Sequence, residues 1–503
     1  MKYLLGVDAG TTSFKGILIN EEGKIISVVS QAYDLLTPSN NTVELEVEKY
    51  WEVFKRVISK LLDSSGVKPE HIVGLAIDSQ GETLICLDKN GRPLRNAIVW
   101  MDNRSTVEAE LIRQEFGLKH VYDVTGQPEL TATWPATKIL WLRRNQKEIF
   151  DKTYKYLLLE DYLIYRLTGK FYCEKSLISS SLYFDIHNGR WWDDILKFIG
   201  IEQDKLPAIE ESGVAVGTLT DEASRETGLC KDTVVVTGAL DQISGVLGAG
   251  AVHDNEICET TGTALAMCVS TEKAPPFNEN LKVPFQCHAI KGKYYLLFWA
   301  QTAGIILKWF RDNFVNYNDL GNMSVFARMD MDAAKVPAGS EGLILLPHLS
   351  GSACPEFNPF AKGVFYGITL KHTREYFIRA VLESIGYMLK EQIETAESLG
   401  IRINEVRSLG GGAKSKVWSS IKANIIGKPI ITLENDETAV LGAALLAGVG
   451  AGVFDSIESA CSKGSVVKDR FYPESELVEA YVKPYQMYKN VYKALDTLFR
   501  EEI

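Results

Sequence analysis

Gly6-Val7-Asp8-Ala9-Gly10-Thr11-Thr12-Ser13-Phe14-Lys15-Gly16 lies between two apolar runs, Tyr3-Leu4-Leu5 and Ile17-Leu18-Ile19. Apolar runs around a Gly/Thr-rich turn predict a β-hairpin. Small residues let a phosphate approach the backbone, and exposed N–H groups can hold it. Asp8, at the end of the first run, is placed to face a metal bound to such a phosphate. An ordinary glycine turn is the commoner reading of such a stretch taken alone. Its meaning depends on what the rest of the chain sets beside it.

The chain has 503 residues. That is too many for one hydrophobic core and predicts two large domains. The formal charge of −11 argues against a nucleic-acid-binding surface. Eight cysteines, with no C-x-x-C among them, read as reduced and mostly buried thiols of a cytoplasmic protein. Residues 1–10 run straight into the first strand without a signal-peptide layout. The longest apolar stretch, Ala439 to Phe454, is short for a membrane span and rich in Gly, so it reads as a buried helix with its turn. Neither nucleic acid nor membrane is expected as a partner. The oligomeric state is open, with a homodimer as one option.

Strands and helices alternate, which indicates an α/β fold. Val47, Tyr50, Trp51, Phe54, Val57, Ile58, Leu61 and Leu62 follow a 3.6-residue period and predict a helix ending near Gly66. Ile72 to Ile77 predicts a strand ending at Asp78, followed by the polar loop Ser79-Gln80-Gly81-Glu82-Thr83. Lys155 to Leu167 reads as helix, and Val234-Val235-Val236 as a buried strand running into Gly238-Ala239-Leu240-Asp241-Gln242. From Ile257 the opening pattern returns as strand, Thr261-Gly262-Thr263 turn, strand, strand. The architecture repeats although the sequence hardly does. A boundary near residue 250 divides the chain into 1–250 and 251–503. Further on, Val406 to Leu409 reads as a strand ending in Gly410-Gly411-Gly412-Ala413-Lys414-Ser415, and Glu437-Thr438 opens the apolar helix.

No G-x-x-x-x-G-K-[ST], H-E-x-x-H or G-x-S-x-G motif occurs. What remains is a Gly/Thr element at three strand ends, residues 8–13, 260–263 and 410–413. Three separate structural turns would look the same, but in two matching halves they suggest the walls of a nucleotide cleft. The turn at Gly410 to Ser415 would present helix N-terminal amides, or let a flat base lie on the glycines. Asp241 is the best acid/base candidate. An Asp there also suits a helix cap. In phosphoryl transfer, a carboxylate near the phosphates accepts the proton of the attacking hydroxyl, and positioning supplies most of the rest. Gln80 and Glu82, with Trp100, Asp102 and Arg104, form a plausible polyol site. A core aromatic is the commoner role of a residue like Trp100, and Asp102 with Arg104 also reads as a surface ion pair, or Asp102 as a helix cap.

Seven segments in this order carry a resemblance: Gly6 to Ser13, Lys138-Ile139-Leu140-Trp141, Gly238 to Gln242, Thr260 to Thr263, Gly304 with Trp309, Gly363 to Thr369, and Gly410 to Ser415. Over essentially its whole length the chain resembles the FGGY carbohydrate kinases, within the actin-like ATPase superfamily. The resemblance implies two ribonuclease-H-like domains flanking a central cleft, an N-terminal sugar-binding domain and a C-terminal nucleotide-binding domain. It implies ATP and Mg²⁺ as cofactors and a small-molecule sugar or polyol as substrate. It makes Asp241 the general base and Asp8 the residue that positions the metal, with Gln242 beside the sugar. Thr11, Thr12, Ser13 and Lys15 would face the terminal phosphates. Gly262 and Thr263 would form the second phosphate loop, Gly304 would line the nucleotide path, and Gly411, Gly412 and Ala413 would contact adenosine.

Departures bear on the substrate. Xylulokinases usually carry Met-His-Gly where this chain has Ser79-Gln80-Gly81, and glycerol kinases Arg-Glu where it has Gly81-Glu82. Gly81 in place of an Arg predicts extra room and a substrate longer than glycerol. Xylulose is the expected substrate; glycerol, erythritol, ribulose and gluconate are the alternatives within the class. An actin- or chaperone-like ATPase switch without a sugar acceptor is the alternative outside it. The polar loop 79–83 and Asp241 count against that, since a switch needs no polyol pocket.

Overall fold

The computed structural model describes residues 1–279, 281–317, 320–355 and 357–500, so positions 501–503 of the second expected domain lie outside the described residues. Two mixed sheets frame the molecule. The first contains β1 (Tyr3–Ala9), β2 (Ser13–Asn20), β3 (Ile25–Ala32), β4 (Ile72–Ser79), β5 (Ala215–Thr218) and β6 (Val234–Leu240), in the order β5-β6-β4-β1-β2-β3. The second contains β7 (Glu256–Thr261), β8 (Leu265–Thr271), β9 (Phe285–Cys287), β10 (Tyr294–Ala300), β11 (Glu405–Leu409), β12 (Ile430–Leu433) and β13 (Val467–Phe471), in the order β9-β10-β8-β7-β11-β12-β13. Both sheets have an antiparallel run of consecutive strands, then two parallel strands, then an antiparallel edge. The expected α/β class with two ribonuclease-H-like units is what the chain forms.

The first half carries α1 (Val47–Ser65), α2 (Pro135–Asn145), α3 (Leu159–Thr168) and α4 (Asp241–Gly248). The second carries α5 (Gly304–Phe314), α6 (Val325–Ala333), α7 (Arg374–Ser398), α8 (Lys416–Ile426) and α9 (Thr438–Gly450). Of the eight residues of the 3.6-period run in α1 all but Leu62, which is half-buried, are buried, and full burial of such side chains contributes roughly 2 kcal/mol each. Gly66 ends α1 in the left-handed region at φ 64°, donating its N–H to Leu62, as a glycine stop should.

The sequence reading needs one correction at Lys155 to Leu167. Lys155–Leu157 is a strand paired antiparallel with Ile85–Leu87, and α3 starts only at Leu159. The physical reason is a cap. The Asp161 carboxylate accepts the Leu158 N–H at 2.8 Å and fixes the helix start there.

Helices α4 and α9 cross between the two sheets through glycines. A methyl group on Gly248 would stand 1.9 Å from the Thr438 carbonyl oxygen, and one on Gly442 would stand 2.0 Å from that of Ser244. Helix α9 also lies on the first sheet, where Gly6 would put a Cβ 2.4 Å from the Val440 oxygen and Gly74 one 2.7 Å from that of Ala447. Only residues without a side chain let backbones come this close. Thus α9 belongs to the second half by sequence and covers the first half's sheet. Among the described residues, no helix is long and apolar enough to cross a membrane.

Candidate active site

Strand register assembles the carboxylates. Asp8 on β1 is paired with Lys15 on β2 and with Asp78 on β4, so all three side chains leave the sheet on one face. Asp241 follows the end of β6 and is the first residue of α4. Leu240, not Asp241, occupies the cap position, and Asp241 Oδ1 accepts the N–H of its neighbour Gln242 at 2.6 Å. Burial pushes the Asp241 carboxyl up to about 7, with the Asp8 charge adding to the rise. Burial likewise raises Asp8 to about 6, against the opposing charge of Lys15. Asp78 is fully buried and held well above the usual carboxylate range, first by burial and then by Asp8 and Asp241. Its Oδ1 meets no N–H or hydroxyl.

Three clustered acids with one bare oxygen suit a cation, which would restore the charged forms. Among the described residues, no three His, Cys, Asp or Glu are arranged to hold a metal by themselves. This donor set fits Mg²⁺, which keeps waters and binds through one or two carboxylates together with substrate phosphates.

Two adjoining cavities share Gly262 and Thr263. One, of about 370 Å³, is lined by Asp8, Lys15, Asp241, Gln242, Thr260 and Glu437 among others. The other, of about 580 Å³, runs between Gly304, Lys308, Phe326, Asp330, Gly411 and Gly412. At their junction the Gly304 N–H, opening α5, donates to the Gly262 oxygen at 2.8 Å. A Cβ on Gly304 would stand 2.4 Å from that oxygen, so the approach requires glycine. A single turn, Gly411–Lys414, separates β11 from α8, and Ser415 caps α8 by accepting the Trp418 N–H at 3.0 Å. Gly411 and Gly412 line the larger cavity together with Ser415 and Trp418 at the start of α8.

The loop after β4 and the loop at Trp100 are tied together by Lys138 of α2. Its ammonium is fully buried and donates to the carbonyls of Glu82 at 3.0 Å and Val99 at 3.2 Å. Burial lowers it to about 7, opposed by the Glu82 charge. Glu82 sits at φ 56°, a left-handed conformation that a non-glycine residue adopts only when its surroundings impose it. Trp100 donates its indole N–H to the Thr11 hydroxyl at 3.0 Å, joining this loop to the first hairpin.

Family models match on both sides of the crossing: the N-terminal domain of the FGGY family of carbohydrate kinases over residues 3–248, and its C-terminal domain over 257–451. The chain belongs to the FGGY family of carbohydrate kinases. It is an ATP-dependent sugar kinase. Among the relatives of this FGGY kinase, a xylulose kinase of Bacillus subtilis is 32% identical over 493 residues, covering 98% of this chain and 97% of that one. A gluconokinase of the same organism is 30% identical over 468 residues, covering 91% of this chain and 89% of that one. The crystal structure of xylulose kinase from Rhodospirillum rubrum superposes with a TM-score of 0.91 at 25% identity, covering 99% of this chain and 100% of that one.

The site residues expected of this FGGY kinase divide into those that line the cavities and those that do not. Asp8, Lys15, Asp241, Gln242, Gly262, Thr263, Gly304, Gly411 and Gly412 line them; Ala413 does not, and Lys414 and Ser415 do. Thr11 and Thr12 lie in the hairpin turn and Ser13 opens β2; none of the three lines either cavity, and the Tyr33 hydroxyl anchors the Gly10 carbonyl of the same turn. Lys15 is ion-paired across the halves with Glu437. Gln80 is 2% exposed and lies with Tyr33 and Tyr50 beneath the turn. Asp102 is fully buried; it accepts two bonds from the Arg104 guanidinium (2.7 Å each), the Arg104 N–H at 3.0 Å and the Val43 N–H, and Arg104 also reaches Glu44. This is an ion pair, but a buried one rather than the surface pair expected, and Ser105 rather than Asp102 occupies the helix cap position.

The extra room expected at Gly81 is absent in the direction a side chain would take. A Cβ there would meet Leu240 Cδ1 at 3.2 Å and Ser180 Oγ at 3.3 Å. Sequence reasoning missed Asp78, Glu437 and the α6 residues Phe326 and Asp330. The signal for Asp78 was a charge ending an apolar run; α6 carries no motif.

Proposed function

We propose that the chain transfers the γ-phosphoryl group of ATP to a terminal hydroxyl of a ketose, with xylulose as its substrate. The observation that carries this reading is Asp241, raised toward neutrality at one wall of a cavity whose other wall is the Gly262-Thr263 loop. The adenosine end lies on Gly411 and Gly412 in the larger cavity, and the phosphates pass Gly304 and Gly262 into the smaller one. Asp241 accepts the proton of the sugar hydroxyl as its oxygen forms the bond to phosphorus and the bond to ADP breaks. Mg²⁺, held by Asp8 with Asp78 behind it, would neutralise phosphate charge. The Lys138 tie holds Glu82 and Trp100 in place around the sugar. The xylulose kinase relatives support the ketose, and the gluconokinase relative makes gluconate the nearest competitor. Eight free thiols, seven of them buried, support a reducing, cytoplasmic setting.

ADP release across ketoses, polyols and sugar acids tests the substrate. Xylulose should give the highest kcat/KM; a higher value for gluconate would overturn the ketose reading. Glu82→Ala should raise the sugar KM about tenfold or more while the ATP KM stays put, the scale of one lost hydrogen bond to a charged group. Parallel increases in both would move Glu82 out of the sugar site.

A further inference from the structure

The strand that delivers Asp241 is irregular. β6 runs parallel to β4 with Thr237 opposite Ile77 and then Leu240 opposite Ser79, so Gly238 and Ala239 together oppose Asp78. Such a bulge withdraws backbone groups from the ladder and re-aims the residues beyond it. At Gly238 the strands are so close that a Cβ would stand 1.9 Å from the Ile77 oxygen. Two N–H groups at the bulge are met by side chains from outside the sheet. Gly238 donates to Glu160 Oε1 at 2.8 Å, and Leu240 donates to Ser176 Oγ at 3.0 Å.

Ser176 is itself oriented, because its hydroxyl donates to Glu174 Oε1 at 2.9 Å. Glu174 also accepts from the Ser176 N–H and the Ser212 hydroxyl, both at 2.7 Å, and from the Leu177 N–H. Glu160, Glu174 and Ser176 are all fully buried. Burial holds Glu160 well above the ordinary carboxylate range and Glu174 up to about 7. Polar groups buried this deeply are costly unless they satisfy a partner. Here the partners are the last two β6 amides so anchored before the proposed base.

We propose that Ser176, oriented by Glu174, and Glu160 are positioning residues for phosphoryl transfer. They fix the bulge at Gly238 to Leu240 and thereby aim the Asp241 carboxylate at the sugar hydroxyl. This rests on Asp241 being the base. A displacement of about 1 Å at such a group costs on the order of a hundredfold in rate.

The test compares full-length Ser176→Ala, Ser176→Thr and Asp241→Asn with the sugar that drives the most ADP release. Ser176→Ala should lose about tenfold or more in kcat with the ATP KM within about twofold, and Ser176→Thr, which keeps the hydroxyl, should recover most of it. Amide exchange in the segment 237–243 should quicken in Ser176→Ala. Wild-type kcat in Ser176→Ala overturns the inference. So does a loss matched by a higher ATP KM and a lower unfolding midpoint, with Thr no better than Ala, since that pattern marks a merely structural role. Asp241→Asn separates the two readings: its inactivity beside an unimpaired Ser176→Ala removes only the positioning role, and its full activity removes the base itself.

Discussion

Asp241→Asn is expected to lower kcat for sugar phosphorylation by about a thousandfold or more while ATP still binds. Asparagine keeps the shape and can still accept the Gln242 N–H, but it cannot take a proton from the attacking hydroxyl. General-base assistance is worth on the order of a hundred- to ten-thousandfold. Removing a charge beside Asp8 and the incoming phosphates gives no reason for nucleotide affinity to fall. Steady-state kinetics and ATP titration separate the two effects. The same carboxyl sets a pH dependence. A base must be deprotonated to act, and burial raises this one to about 7. In the wild type, kcat/KM should therefore decline about tenfold per unit as pH drops below that value. A variant retaining near wild-type turnover, or a flat profile between about pH 5 and 8, would place the base elsewhere.

Gly442→Ala is expected to be severely destabilising, and Gly245→Ala is not, although both residues lie at the same helix crossing. The new methyl at 442 would stand 2.0 Å from the Ser244 oxygen; the one at 245 meets only Thr438 Oγ1, at 3.9 Å. The first must push the two helix backbones apart, an overpacking cost of about 3 kcal/mol or more. The second gains from alanine's better helix propensity, by up to about 1 kcal/mol. Thermal unfolding of the two proteins should move in opposite directions. Equal midpoints would mean that the crossing relaxes more easily than its backbone distances indicate.

Much of the frame was legible because its signals are local. The 3.6-residue period of α1, the apolar runs of β1, β4 and β6, and the Gly/Thr turns all state their conformation within a few residues. The cavity walls at Gly262 and Gly411 were legible as Gly-rich strand ends, whereas Gly304, where close approach does demand glycine, was expected only from the family resemblance. Long-range pairing was not. Nothing in the sequence around Asp78 shows that it lies opposite Asp8. Nor does the segment near Ser324 announce that Phe326 and Asp330 line the larger cavity. The start of α3 escaped because one carboxylate, Asp161, overrode the helical propensity of the residues before it. At Gly81 a missing side chain suggested space, but space depends on neighbours, and Leu240 and Ser180 had already taken it. Asp102 and Arg104 have the composition of a polyol site, and only geometry shows them satisfying each other.

The reach of α9 across the molecule has a consequence for how such kinases can be recombined. A chimaera joined near residue 250 would exchange the helix that covers its partner's sheet along with the rest of the second half. The graft then fits only if the recipient leaves Gly6, Gly74 and Gly248 bare to receive it. Compatibility between donors is decided by three hydrogens in place of three methyl groups.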